Sequence, residues 1–224
     1  MPERPGLARR ASAEGIAAFA LVFAGCGAVV TDARGAGIGT VGVALAFGLA
    51  IMVMVYATGH LSGAHMNPAV TFAFTLTRHF PLRDAVIYVC AQLAGATCGA
   101  LVLLAVWTDK PARLGATVPS VAVGSAFVYE VVLTAFLMFV IVAVATDTRA
   151  VGTGAAIAIG GTVALDALFG GPVSGASMNP ARSFGPALAA GEWRSFWVYV
   201  AGPVVGASVG ALAYQAVRGD RPPR

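Results

Sequence analysis

Two asparagines are the most informative polar residues of this sequence, because each begins the same three-residue motif. The two copies are Asn67-Pro68-Ala69 and Asn179-Pro180-Ala181, 112 residues apart. Each copy lies within a thirteen-residue phrase, starting at Ser62 and at Ser174, and eight of the thirteen positions are identical. Asparagine is a good helix N-cap and proline suits the first helical position, so each motif predicts a loop that starts a short helix.

The chemistry available to this pair is hydrogen-bond donation. The side-chain oxygen of an N-cap asparagine accepts backbone N–H bonds, which leaves its amide NH₂ free to donate. If the two helices meet, the amides of Asn67 and Asn179 can both donate to one oxygen atom between them, at the positive ends of two helix dipoles. The alternative interpretation is that the motifs are two ordinary helix starts.

The composition indicates that these motifs lie in a membrane. Of the 224 residues, 58% are hydrophobic and 11% are charged, and the mean hydropathy is +0.82. Soluble domains carry about 25% charged residues, which argues against a soluble protein. The net charge of +4 would suggest a nucleic-acid partner in a soluble protein. Here the basic residues lie between apolar runs, so no nucleic-acid partner is expected.

Six apolar runs are long enough to cross a bilayer, which takes about 20 residues. They are Ala13–Val30, Ile38–Ala57, Asp84–Trp107, Val121–Thr146, Gly152–Phe169 and Trp193–Val217. The two motif segments, Ser62–Thr77 and Gly171–Ala189, are too short and too interrupted to cross. They are predicted to be re-entrant loops with half-helices, since such backbone is tolerated at membrane depth only where protein or a water-filled cavity surrounds it.

The distribution of basic residues predicts the orientation. With the N-terminus inside, the inner side holds nine arginines: Arg4, Arg9, Arg10, Arg78, Arg83, Arg149, Arg218, Arg221 and Arg224. The outer side holds four basic residues: Arg34, Lys110, Arg113 and Arg194. Because cytoplasmic loops carry the excess of basic residues, both termini are expected in the cytoplasm.

The two halves of the sequence form an inverted repeat. Glu14 opens the first span and Glu130 lies early in the fourth, and each half holds three spans and one half-helix. Because three is odd, the second half must insert upside down relative to the first. Inverted repeats place a solute site at their interface near the midplane. We expect one transmembrane domain, residues 1–224, with repeats at about 11–110 and about 118–218.

Over essentially its whole length the sequence resembles the major intrinsic protein family, the aquaporins and aquaglyceroporins. The resemblance rests on the two Asn-Pro-Ala motifs, Arg182 directly after the second, Glu14, Glu130 and the six spans. The wording around the motifs is most similar to the nodulin-26-like branch, whose members pass water and also glycerol, urea or metalloid hydroxides. The resemblance implies an all-α membrane fold of six transmembrane helices and two re-entrant half-helices in two inverted repeats, and a homotetramer.

The resemblance also implies a selectivity filter at the outer constriction. Its implied members are Phe47, Ala167, Ala176 and Arg182. An arginine at membrane depth costs free energy and tends to face an aqueous cavity. The position in the first repeat that is equivalent to Arg182 is Val70. Water-selective relatives place histidine and a small polar residue where this sequence has Ala167 and Ala176, so a wider and less polar constriction is expected. An alignment shifted by one residue would place Asp166 there instead.

Glu14, Glu130 and His60 are expected to support the re-entrant loops. Each glutamate should accept hydrogen bonds from the backbone of the loop in its own half, with a proton relay as the alternative. His60 is expected to tie down the first loop rather than to gate the pore. These are structural roles, and no catalytic residue, cofactor or metal site is expected.

The favoured function is passive diffusion of water and small uncharged solutes such as glycerol, urea, arsenite or boric acid, with exclusion of ions and protons. A strictly water-selective channel is one alternative. An ion-coupled secondary transporter is another, since transporters share inverted repeats with broken helices, and a structural junction protein is a third. The expected location is the cell (inner) membrane, with membrane lipid around a multi-pass protein.

Overall fold

The computed structural model describes residues 5–147, 149–150 and 154–218. Within these residues the backbone forms eight α-helices: α1 (Leu7–Thr31), α2 (Gly39–Ser62), α3 (Pro68–Leu76), α4 (Leu82–Val106), α5 (Val123–Thr146), α6 (Ala155–Ser174), α7 (Pro180–Ala190) and α8 (Val198–Val217). Short helical turns follow α1 at Asp32–Ala36 and α4 at Pro111–Gly115. The predicted start of the fifth span at Gly152 lies outside the described residues, as do Arg4, Arg221 and Arg224.

Six of the described helices are long and apolar enough to cross a membrane. They contain 20 to 25 residues each, whereas α3 has 9 and α7 has 11. At 1.5 Å per residue, neither of the two short helices can cross the hydrocarbon. The prediction of six spanning helices and two half-helices is therefore confirmed, and the chain is a multi-pass membrane protein.

The two halves pack in the same way. In the first half α1 packs along α4, in the second α5 packs along α8, and α2 packs against α6 to join the halves. A Cβ on Gly95 would lie 1.9 Å from the carbonyl oxygen of Gly15, and one on Gly210 would lie 2.1 Å from that of Ala135. Such small residues let membrane helices approach to backbone contact, and this close packing leaves the half-helices at the centre of the bundle.

Several helix ends differ from the predicted spans. The helix α6 continues through Pro172 to Ser174, although the second re-entrant segment was predicted to begin at Gly171. Pro172 removes one backbone hydrogen-bond donor from the helix but does not end it. The helix ends at Gly175, which lies in the left-handed region (φ +94°) and donates its N–H to the carbonyl oxygen of Gly171. The helix α1 begins at Leu7 rather than Ala13, because apolarity alone does not mark where a helix leaves the membrane.

Candidate pore and its constriction

The half-helices α3 and α7 begin at the two motif asparagines. Asn67 and Asn179 have extended backbone and precede a proline at the first helical position. The Asn67 Oδ1 accepts the N–H of Ala69 at 2.9 Å. The Asn179 Oδ1 accepts the N–H groups of Ala181 at 2.9 Å and Arg182 at 3.2 Å. Both motifs thus form capped helix starts, as their local chemistry requires.

Each asparagine also reaches across to the other half. The Asn67 Nδ2 donates to the carbonyl oxygen of Met178 at 2.7 Å, and the Asn179 Nδ2 donates to that of Met66 at 2.9 Å. The two N-termini are therefore joined by a reciprocal pair of bonds. An amide NH₂ has two hydrogens, so one N–H of each asparagine is left for the cavity that both residues line.

The loops that lead into α3 and α7 have the same unusual backbone. The φ angle is +94° at Gly63 and Gly175, +48° and +40° at Ala64 and Ala176, and +53° at Met66 and Met178. A left-handed conformation costs a non-glycine residue roughly 1–2 kcal/mol. Two such residues in each loop persist only if the surroundings hold them in place.

Glu14 holds the first loop. Its Oε1 accepts the hydroxyl of Ser62 at 2.7 Å and the N–H of His65 at 2.9 Å. Its Oε2 accepts the N–H of Met66 at 2.7 Å and the Nε2 of Gln92 at 2.8 Å. The carboxyl group is fully buried, and hydrogen bonds to a carboxylate are about twice as strong as neutral ones.

Glu130 makes the matching contacts in the second half. Its Oε1 accepts the hydroxyl of Ser174 at 2.8 Å and the N–H of Ser177 at 2.9 Å, and its Oε2 accepts the N–H of Met178 at 2.8 Å. The position that corresponds to Gln92 in the repeat is Pro203, which has no side-chain donor. The two supports are therefore similar but not equal, with one side-chain donor fewer at Glu130.

His60 does not make the contact expected of it. It is exposed in the last turn of α2, and its side chain makes no hydrogen bond among the described residues. His65, within the loop itself, makes the tie instead: its Nδ1 lies 3.1 Å from the Thr71 hydroxyl, and its ring packs against Phe74 and Tyr88. The loop backbone turns away from α2 at Gly63, which leaves His60 on the wall of a wide opening.

Three adjacent cavities lie around the half-helices, and the central one is the smallest of the three. A central cavity of about 70 Å³ contains both asparagines on its wall. It lies between a proximal mouth of about 380 Å³, on the side where α1 begins and α8 ends, and a distal mouth of about 400 Å³ on the opposite side. The central cavity shares lining residues with each mouth, so the three cavities are adjacent, and this is the arrangement expected of a pore.

Four residues line both the central cavity and the distal mouth, and so mark the boundary between them. They are Phe47, Ala167, Ala176 and Arg182. All four are buried, and the guanidinium carbon of Arg182 lies 4.7 Å from the centre of the Phe47 ring, within the range of a cation–π contact. Only methyl groups face this pair from Ala167 and Ala176.

Arg182 is fixed by Gly115, a residue that was not singled out from the sequence. The Nη1 of Arg182 donates to the carbonyl oxygen of Gly115 at 2.7 Å. Gly115 ends a turn in which Ala112, Arg113 and Leu114 all have left-handed φ angles, between +46° and +54°. The turn is anchored by the fully buried Leu114. A lone glycine between Lys110 and Val123 is the one sequence signal that marks this turn.

A chain of buried hydroxyl groups was also missed. Thr117 Oγ1 lies 2.7 Å from Ser183 Oγ, which lies 2.6 Å from Ser177 Oγ. Ser177 Oγ in turn donates to the carbonyl oxygen of Asn179 at 2.9 Å. This chain connects the segment before α5 to the second re-entrant loop and to α7. The sequence shows no sign of it, because serine and threonine are common and the pairs are 6 to 66 residues apart.

Asp166 does not lie at the boundary. It is fully buried on α6, and neither carboxyl oxygen has a hydrogen-bond partner among the described residues. The next residue, Ala167, is the one that lines both cavities.

Known proteins of similar sequence and structure are membrane channels. Residues 2–214 match the major intrinsic protein family. Aquaporin NIP1-4 from Oryza sativa subsp. japonica is 51% identical over 211 residues, which cover 93% of this chain and 77% of the relative. Nodulin-26 from Glycine max is 48% identical over 207 residues, or 92% and 76% of the two chains. The X-ray structure of the aquaglyceroporin from Plasmodium falciparum is similar with a TM-score of 0.79 at 26% identity, covering 95% of this chain and 97% of that one.

Proposed function

The chain belongs to the major intrinsic protein family and is a passive membrane channel for water and small solutes; on that premise, we propose that its pore passes glycerol, urea and metalloid hydroxides as well as water. The observation that carries the proposal is the composition of the boundary between the central cavity and the distal mouth. It consists of one cation, one aromatic ring and two alanines.

We propose that Phe47, Ala167, Ala176 and Arg182 form the selectivity filter. The small side chains of Ala167 and Ala176 leave room opposite Arg182 for a solute larger than water, and they add no hydrogen-bonding group. The Arg182 guanidinium can donate to a solute hydroxyl, while its fixed positive charge repels cations. A polyol or a neutral hydroxide has both an oxygen for the guanidinium and a less polar side for the alanines.

The motif asparagines have the second role in the proposal. A solute oxygen at the centre of the pore meets the remaining N–H of Asn67 and of Asn179. The N-termini of α3 and α7 point at the same place, so the positive ends of two helix dipoles add to the barrier against cations and protons. Pro68, Ala69, Pro180 and Ala181 serve this arrangement by starting the two half-helices.

Glu14 and Glu130 are proposed as structural supports of the loops. Among the described residues, each glutamate accepts hydrogen bonds only from donors in its own half, and both oxygens of each carboxyl group accept at least one. A coupling-ion site needs free oxygen ligands. The geometry therefore favours a channel over an ion-coupled transporter.

The assembly and location in the cell complete the proposal. We propose a homotetramer in the cell (inner) membrane with both termini in the cytoplasm, so that the proximal mouth opens inward. The support for the orientation is the excess of arginine on the proximal side. The support for a homotetramer is the family to which the chain belongs. The contacts between subunits would come from the outward-facing surfaces of the helices.

The experiment that tests the solute range is stopped-flow light scattering on proteoliposomes, with protein-free liposomes as the control. We expect water, glycerol, urea and boric acid to permeate faster than through the bare bilayer, with a flux that is linear in the gradient. The same flux should be measured with the external pH and sodium concentration varied, since a passive channel responds to neither. Exclusion of glycerol, urea, boric acid and arsenous acid, with fast water flux, would establish the strictly water-selective alternative.

A further inference from the structure

Gly25 on α1 is packed against the side chain of Phe47. A Cβ built on Gly25 would lie 2.2 Å from Cε1 of the Phe47 ring, 2.3 Å from Cδ1 and 2.7 Å from Cζ. Real side-chain contacts are not this short, so any residue with a side chain at position 25 displaces the ring. The absence of a side chain on Gly25 therefore determines where the ring lies.

The Phe47 ring has the pore on its other side. The ring lines both the central cavity and the distal mouth, and its centre is 4.7 Å from the guanidinium carbon of Arg182. The helix backbone of α1 closes the side at Gly25, which is itself buried. The open space available to a displaced ring is the lumen in front of Arg182.

The repeat shows what the same two positions do without a glycine. Gly25 stands eleven residues after Glu14, and Ile141 stands eleven residues after Glu130. Phe47 stands fifteen residues before Ser62, and Ile159 stands fifteen before Ser174.

The second-half pair, Ile141 and Ile159, lines the central cavity. In that half two residues of equal size share the wall. In the first half one position has no side chain, and the other carries a ring that fills the space.

We propose that Gly25 is a positioning residue for selectivity. Because it has no side chain, the Phe47 ring can lie against α1, and this position of the ring sets the width of the pore at Phe47. The inference rests on the proposed filter role of Phe47. A methyl group at position 25 pushes the ring toward Arg182 and narrows the pore. The narrower pore slows glycerol or boric acid more than water, because these solutes are larger than water.

The primary test compares Gly25→Ala with Gly27→Ala in proteoliposomes. A Cβ on Gly27, two residues along the same helix, would meet only the Leu103 side chain, at an ordinary 3.6 Å. For Gly25→Ala we expect glycerol permeability to fall on the order of tenfold, the discrimination that one added methylene gives in an apolar site, while water permeability falls by less than about threefold. Gly27→Ala should leave both permeabilities at the wild-type value.

A second pair of variants separates this inference from the filter proposal. Phe47→Leu alone should raise the glycerol-to-water ratio, and an unchanged ratio would refute the filter role of Phe47. The double variant Gly25→Ala/Phe47→Leu should have the ratio of Phe47→Leu, because the added methyl group no longer has a ring to displace. If Phe47→Leu changes the ratio but Gly25→Ala leaves it at the wild-type value, or lowers water and glycerol equally, the filter stands and the role of Gly25 is refuted.

Folding of each variant is checked by the thermal unfolding midpoint of the detergent-solubilised protein. Should Gly25→Ala fail to fold, the double variant decides, because without the ring at position 47 the added methyl group has room. The inference then requires the double variant to fold and to have the glycerol-to-water ratio of Phe47→Leu. A double variant that also fails to fold, or whose ratio differs from that of Phe47→Leu, would overturn it.

Discussion

Arg182 donates from its Nη1 to the carbonyl oxygen of Gly115, at 2.7 Å. This bond fixes the one buried cation of the constriction to a turn that lies 67 residues earlier in the chain. A guanidinium that is held at one edge by a backbone carbonyl still presents its other donors to the lumen. The position of the charge, and with it the proposed exclusion of cations, depends on a loop outside the two motif segments.

Replacing Arg182 by valine, the residue at the equivalent position of the first repeat (Val70), should open the pore to protons and cations. The change removes the fixed positive charge at the boundary but leaves both half-helix dipoles in place. We expect water permeability to stay within about twofold of wild type, since no bulk is added. Proton flux is measured with a pH-sensitive dye trapped in proteoliposomes. Arg182→Lys, which keeps the charge but not the planar fork, is the control, and a valine variant as proton-tight as wild type would contradict this account.

Replacing Ala167 by histidine should reduce solute flux far more than water flux. The imidazole adds bulk and a donor opposite Arg182, where the wild-type protein has a methyl group. We expect glycerol permeability to fall by about tenfold or more, because the added bulk leaves less room for a solute larger than water. Stopped-flow light scattering gives both rates. Ala167→Gly is the matched control that removes bulk instead, and equal losses for water and glycerol in the histidine variant would place the constriction elsewhere.

Replacing Glu130 by glutamine should destabilise the protein without changing the selectivity of the molecules that fold. A glutamine has one acceptor oxygen, so its NH₂ faces either the Met178 N–H or the donors from Ser174 and Ser177. We expect a loss of roughly 2–3 kcal/mol from a charge-assisted bond and an unsatisfied donor.

Glu14→Gln should cost more, since Glu14 also accepts from Gln92. Thermal unfolding in detergent compares the two variants with Glu192→Gln, a change in a surface ion pair worth at most about 1 kcal/mol. A folded Glu130→Gln protein with wild-type stability and an altered glycerol-to-water ratio would contradict the structural role.

Replacing Asp166 by valine should stabilise the protein. The carboxyl group is fully buried without a hydrogen-bond partner among the described residues, and burial of an unsatisfied polar group costs about 1–3 kcal/mol. Valine is of similar size and removes the polar atoms, whereas Asp166→Asn retains them and serves as the control. Water and glycerol permeability should not change, because Ala167 is the residue on the cavity wall. A valine variant that unfolds more easily would show that the carboxyl group has a stabilising contact.

The short-range features of this protein could be predicted from the sequence. Asn67 and Asn179 cap helices because the bonds to Ala69 and Ala181 reach only two residues along the chain, and a proline at the next position favours the same geometry. The six spans follow from hydrophobic length, since a segment of about 20 apolar residues has few other stable states. The inverted arrangement follows from an odd number of spans in each half.

The contacts that complete the pore were decided by the tertiary structure. Gly115 meets Arg182, and Thr117 meets Ser183, only because α4, α5 and the turn between them bring distant segments together. Which histidine ties the first loop, His65 and not His60, depends on the residue at which α2 ends. These contacts could not be predicted from neighbouring residues in the chain, because each bond joins groups whose distance is set by the packing of several helices. The sequence by itself thus determined the topology and the motif chemistry, and the packing decided the shape of the constriction.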